Sequence, residues 1–167
     1  MPPSSRVETM YHLRRTDRRI EDIAFLKKIL KTANYVTLAM SMNNEPYLVS
    51  LSHCFDEERN CIYFHCAKEG KKLDYLQSNS RVWGQAILDH GYSLAEKDCT
   101  YLYASVHFSG KVAFLDNIDE KRQAMVCMMK QLDDKSKPLI AQLENDRLSK
   151  TMIGRIDIEY MSGKESK

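Results

Sequence analysis

The chain has 167 residues, with 25 Lys plus Arg against 23 Asp plus Glu and a formal net charge of +2. With 43% hydrophobic and 29% charged residues, the composition is that of a folded globular domain, and the near-neutral charge argues against a general nucleic-acid coat. No apolar run approaches the roughly 18 residues of a membrane span, and the polar first ten residues do not read as a secretory signal.

Residues 1–14 read as a flexible tail and 15–165 as one domain. From Thr16 or Asp17 a helix is expected, with Ile20, Ile23, Ala24, Leu26, Leu30 and Ala33 as its apolar stripe. The period then falls to two. Val36, Leu38, Met40 and Met42 share one face, Asn43 to Pro46 form a turn, and Tyr47, Val49, Leu51, His53 and Phe55 alternate again. After a turn at 56–60, residues 61–65 give a third strand, and the three read as an antiparallel meander. A short helix over 71–77, a strand over 81–88, a polar loop over 89–98 and a long strand over 101–114 follow. Asn117 with Glu120 opens a helix to about residue 132. A further helix over 138–148 and a strand over 155–160 complete the chain. The expectation is a mainly β fold with α-helices: six antiparallel strands in a small barrel with peripheral helices.

Cys54, Cys61 and Cys66 lie on or beside apolar strands and read as buried, reduced thiols, which favours the cytoplasm. Their irregular spacing gives no zinc pattern, so no metal is expected. The informative segment is 64–73. A strand ends at His65 and Cys66, a loop with Ala67, Lys68 and Gly70 follows, and a helix opens on Lys71 and Lys72. Free amides at a helix start favour an anion, and lysines in the first turn oppose the helix dipole unless an anion is present. That is a phosphate seat or, equally on spacing alone, a lysine-rich turn. His65 stands beside it. His53 reads as a core or interface histidine, His107 lies opposite the apolar face of the long strand, and His90 and His12 occupy polar segments. Trp83 is either core or the wall of a flat-ligand pocket. No GxGxxG or Walker loop is present.

With these residues in view, the chain resembles the FMN-binding split-barrel superfamily, and within it the pyridoxamine 5'-phosphate oxidase-like proteins related to nitroimidazole resistance. The runs that carry the likeness are IYFHCAKEGKKLD at 62–74, PYLVSLS at 46–52, SVHFSGKV at 105–112 and IDIEYMSGK at 156–164. The resemblance implies a six-stranded split β-barrel and a homodimer with two FMN molecules in clefts between subunits. Lys72 matches the phosphate-binding lysine, and Lys71 stands where the subgroup commonly has histidine. His65 matches a histidine on the cofactor and substrate side, and would be the catalytic residue. Val49 and Ser50 match the strand whose backbone approaches the flavin ring, and Cys66, Ala67 and Lys68 line the phosphate loop. Ala104 occupies a position where relatives often carry Arg. The function implied is an FMN-dependent oxidoreductase taking electrons from NADH or NADPH and reducing nitro-aromatic or quinone-like acceptors. The alternatives are a non-catalytic flavin- or haem-binding protein, or an oxidase of a pyridoxamine-phosphate-type substrate. No nucleic-acid or membrane partner is expected.

Overall fold

The computed structural model describes residues 14–95, 98–133 and 135–167. Of the expected tail, only Arg14 falls within them. The chain does not enter a helix at Asp17. Arg15 holds Asp17 through a paired ion contact, closing a single 3-10 turn over Thr16–Arg18. An extended stretch follows in which the Ile20 amide donates to Gly163 O at 3.0 Å. Helix α1 (Ile23–Thr32) starts later because the Asp22 carboxylate accepts from the Ala24 amide at 2.8 Å, capping a free donor. Leu26, Ile29 and Leu30 bury its inner stripe.

Strand β1 (Val36–Met42) buries Val36, Leu38 and Met40, as its alternation requires. Asn43 and Asn44 both take positive φ, 52° and 66°, and turn the chain into β2 (Glu45–Leu51). The alternating run 47–55 is not one strand. It breaks at Ser52 and His53, because the His53 side chain turns inward and donates from Nε2 to Leu30 O at 2.8 Å. A separate three-residue strand, β3 (Cys54–Asp56), follows and pairs with β4 (Cys61–Cys66). The expected meander is thereby corrected, since β4 is paired with β3 and not with β2.

Helix α2 (Lys71–Ser78) leads to β5 (Arg81–Ala95) and β6 (Asp98–Phe114). The stretch 89–98, expected as a loop, belongs largely to this hairpin. Cross-strand pairs such as Tyr92 with Tyr101 and Leu94 with Cys99 prolong it past a bulge between Asp89 and Tyr92. Helix α3 (Ile118–Leu132) is capped by Asn117, whose Oδ1 accepts from the amides of Asp119 and Glu120. The single helix expected over 138–148 is two short ones, α4 (Lys137–Ala141) and α5 (Asn145–Lys150). The last strand, β7 (Met152–Ser166), is far longer than expected and pairs with both β6 and β4.

The strands form one antiparallel sheet in the order β2-β1-β5-β6-β7-β4-β3. The six-stranded split barrel expected from the sequence is corrected: among the described residues there are seven strands, and the sheet is open, with β2 and β3 at its two ends and no ladder between them. Only Ser52 and His53 separate these end strands in sequence, and the bond from the His53 side chain to Leu30 O of α1 fixes the link in a course that does not pair them.

One face carries the main core, in which Leu38, Val82, Val106, Phe108 and Ile156 pack against Leu26, Ile29 and Leu30 of α1 and Tyr75 and Leu76 of α2. Each fully buried side chain of this size contributes about 1.5–3 kcal/mol. On the other face α3 covers β3, β4 and the start of β7, and Ala124 and Met128 pack on Cys54, Cys61, Tyr63 and Ile153. Cys54 is not a free thiol, contrary to the sequence expectation. It is disulfide-bonded to Cys127 of α3, with Cα atoms 5.9 Å apart, whereas Cys61 and Cys66 are free. Among the described residues, no helix is long and apolar enough to cross a membrane.

Candidate functional site

The seat suggested by the sequence lies where β4 ends. Cys66 is still paired to Met152, and the exposed loop 67–70 then carries the chain to α2. Gly70 precedes the helix at φ 134°, a backbone conformation that an L side chain adopts only under strain. A Cβ placed there would meet nothing within 4 Å, so the approach to the helix end is open. Among the described residues, no side chain caps α2. Its hydrogen bonding begins with the Leu73 amide donating to Gly70 O at 2.8 Å, which leaves the amides of Lys71 and Lys72 pointing outward beyond the first turn. Leu73, Tyr75 and Leu76 bury the opposite side of the helix and fix its direction.

The two lysines take different courses. Lys72 is half-buried, with Nζ 5.9 Å from the Phe64 ring centroid. It also lies close enough to Cys66 for its charge to pull the thiol pKa down, against a larger upward push from burial. Lys71 turns toward β2: its Nζ is 3.6 Å from Glu45 Oε1, 4.8 Å from the Tyr47 ring centroid and 5.4 Å from that of Tyr75. The structure therefore joins the start of β2, the first turn of α2 and the end of β4 in one place. Ala67 and Lys68 are exposed on the loop between them.

The other predicted residues are distributed by strand alternation. Val49 faces inward against the core, whereas Ser50 faces outward with its hydroxyl 3.0 Å from that of Thr37. Both sit on β2, an end strand whose outer backbone row pairs with no other strand among the described residues. His65 is exposed and, by alternation along β4, projects to the face opposite Phe64 and Cys66. It is thus not gathered with Lys72. His53 is a buried core residue whose Nδ1 has no hydrogen-bond partner among the described residues, and burial pushes its pKa down. Ala104, at 1% exposure, belongs to the core.

Sequence reasoning missed two features. Glu45, Tyr47 and Tyr75 surround Lys71, and the only local signal was Tyr75 standing one helical turn beyond it. The second is a polar row across the uncovered half of the outer sheet face: Ser50, Thr37, Gln85, His107 and Ser162 stand in register on consecutive strands. His107 is half-buried there, its pKa lowered by burial and then by Lys164. Beside that row Trp83 is half-exposed against Tyr160, with ring centroids 6.0 Å apart, so it is not a core residue. A separate groove of about 560 Å³, lined in part by Arg15, Arg18, Thr100 and Lys167, shares no residue with the seat.

The family described as pyridoxamine 5'-phosphate oxidase matches residues 24–165. No protein of curated function matches the chain in sequence. Among solved structures, a candidate 5-nitroimidazole antibiotic resistance protein from Bacteroides thetaiotaomicron is 22% identical, with a TM-score of 0.77 over 88% of this chain and 86% of its own. A flavocytochrome from Azotobacter vinelandii is 16% identical, with a TM-score of 0.79 over 93% of this chain and 73% of its own. An FAD-binding protein from Mesorhizobium loti is 22% identical, with a TM-score of 0.66 over 90% of this chain and 98% of its own. At these identities the likeness establishes a shared fold.

Proposed function

The chain belongs to the pyridoxamine 5'-phosphate oxidase family, and on that premise we propose that it binds a phosphorylated flavin, FMN, with the phosphate at the first turn of α2 and the ring along the free edge of β2. The observation that carries this reading is the uncapped start of α2: an open Gly70, two outward amides and the half-buried Lys72 converge at the end of β4. Lys72 and these amides supply charge-assisted donors to a phosphate dianion. Cys66, Ala67 and Lys68 form the adjoining wall, and β2 through Val49 and Ser50, where alternate residues turn their N–H and C=O to the free edge, offers donors and acceptors to the polar edge of a flat ring. The relatives named for flavocytochrome and FAD-binding roles support a flavin as the ligand class.

A flavin bound there supplies hydride and single-electron transfer, while the protein holds and orients it. Binding without turnover is the simplest form of this reading. Reduction of nitro-aromatic or quinone-like acceptors by NADH or NADPH is a second form, supported by the likeness to a nitroimidazole-resistance protein. In it the exposed His65 imidazole provides a proton to the acceptor. We also propose a homodimer with the cofactor cleft at the subunit boundary, because the uncovered half-sheet exposes Leu48 at 63%, Trp83 at 51% and Ile87 at 50%. The deciding experiment is the visible spectrum of purified protein, followed by titration with FMN, FAD, riboflavin and haem. FMN binding that weakens at least tenfold in Lys72→Met, with riboflavin unaffected, supports the assignment. Failure of saturating FMN to bind refutes it. Steady-state oxidation of NADH or NADPH with an added acceptor, compared between wild type and His65→Ala, separates binding from turnover.

A further inference from the structure

Lys71 and Lys72 open the same helix, yet their charges point to different elements. The Lys71 ammonium has three partners. Two of them, Glu45 and Tyr47, belong to β2, and the third, Tyr75, lies one turn along α2 at 1% exposure. The tyrosine rings stand 5.2 Å apart, tilted by 51°, and form two walls around the ammonium. Lys72 faces Phe64 and Cys66 instead. The geometry points to a clasp: Lys71 is a positioning residue, held by Glu45, Tyr47 and Tyr75, that registers the first turn of α2 against β2 so that Lys72 and the free amides meet a flavin phosphate. This rests on the flavin reading above and assigns Lys71 a role different from phosphate ligation.

Glu45 makes the distinction testable. A carboxylate beside an anion seat repels the anion through space, so direct electrostatics requires Glu45→Gln to tighten FMN binding. If Lys71 were a phosphate ligand, the same substitution would free it from its counter-ion and tighten binding further. The clasp requires the opposite sign, because without Glu45 the ammonium loses one of its three anchors and the first turn of α2 loosens. The ion pair is mostly exposed and is weak by itself, and the buried Tyr75 ring supplies the fixed wall.

The experiment uses the full-length protein with Glu45→Gln, Lys71→Met, Lys71→Arg and the Glu45→Gln/Lys71→Met double variant. Two quantities are read: amide hydrogen exchange over residues 73–76 without flavin, and the ratio of riboflavin to FMN dissociation constants. Under the clasp, Glu45→Gln accelerates exchange and weakens FMN by about two- to fivefold, Lys71→Met by up to about tenfold, and Lys71→Arg restores most of both because a guanidinium also stacks on aromatic rings. The double variant then resembles Lys71→Met alone. Tighter FMN binding in Glu45→Gln, or unchanged exchange in Lys71→Met, overturns the clasp while leaving the flavin assignment standing. Accelerated exchange in a protein that binds no FMN at all overturns the flavin assignment and, with it, the clasp's role toward phosphate.

Discussion

The Cys54–Cys127 bond joins residues 73 apart in sequence, and the loop it closes contains β4, α2, β5, β6 and the first part of α3. Closing a loop of that length removes about 15 cal/mol/K of entropy from the denatured chain, or about 4 kcal/mol at 25 °C. Breaking the bond by reduction is therefore expected to lower the melting temperature by about 8–16 °C, at about 2–4 °C per kcal/mol for a domain of this size. The urea midpoint is expected to fall by about 2 M for a slope near 2 kcal/mol/M. The assay is equilibrium unfolding with and without a phosphine reductant, for wild type and for Cys54→Ala/Cys127→Ala. The double variant starts at the lower midpoint and does not respond to the reductant. Thiol titration under denaturing conditions gives three free thiols before reduction, those of Cys61, Cys66 and Cys99, and all five cysteines after it. Five thiols before reduction, or a wild-type midpoint that ignores the reductant, refutes the reasoning.

Three further outcomes are expected. The His53 pKa is lowered in the folded chain, so the unfolded state binds the proton first; stability is complete above the ordinary histidine value of about 6.5 and declines as pH falls below it. Denaturation midpoints from pH 7.5 to 5 fall less steeply in His53→Gln than in wild type. Gly110→Ala places a Cβ in overlap with the Asp157 carbonyl oxygen, a backbone atom that cannot turn aside, and is expected to cost about 3 kcal/mol, read as a drop in melting temperature. Asn117→Ala removes the acceptor for two amides at the start of α3 and is expected to cost about 1 kcal/mol in the same assay.

Much of the fold is legible in local sequence because the forces that set it are local. Val36, Leu38 and Met40 announce a half-buried strand, Asn43 and Asn44 supply the positive φ of its turn, and Asn117 caps the helix that follows it. The elements that escaped depend on distant partners. Residues 47–55 keep an unbroken alternation, yet the run divides because His53 bonds to α1. The ribbon beyond Asp89 exposes even Tyr92, Leu94 and Tyr101, so it has no buried face among the described residues to mark it as strand, and its cross-strand pairing defines it. The bond between Cys54 and Cys127 could not be read from spacing, since β3 and α3 approach only in the folded chain. At the site, the glycine, the loop and the paired lysines were visible as a motif. The division of labour between Lys71 and Lys72 was not, because it depends on where Tyr47 and Glu45 lie.

Strand β7 comes after every other element in the chain, yet it sits inside the sheet, with β6 on one side and β4 on the other. Until residues 152–166 have left the ribosome, the ladder β2-β1-β5-β6 and the pair β3-β4 are separate pieces, each offering a raw edge that only β7 can cover. Synthesis thus passes through a stage at which the apolar side chains of β1 to β6 exist but cannot yet share one interior, and a chain that stalls there exposes two adhesive borders to its neighbours. The fifteen residues of β7 act as the seam of the sheet. Their loss would separate the sheet into two fragments rather than trim an end.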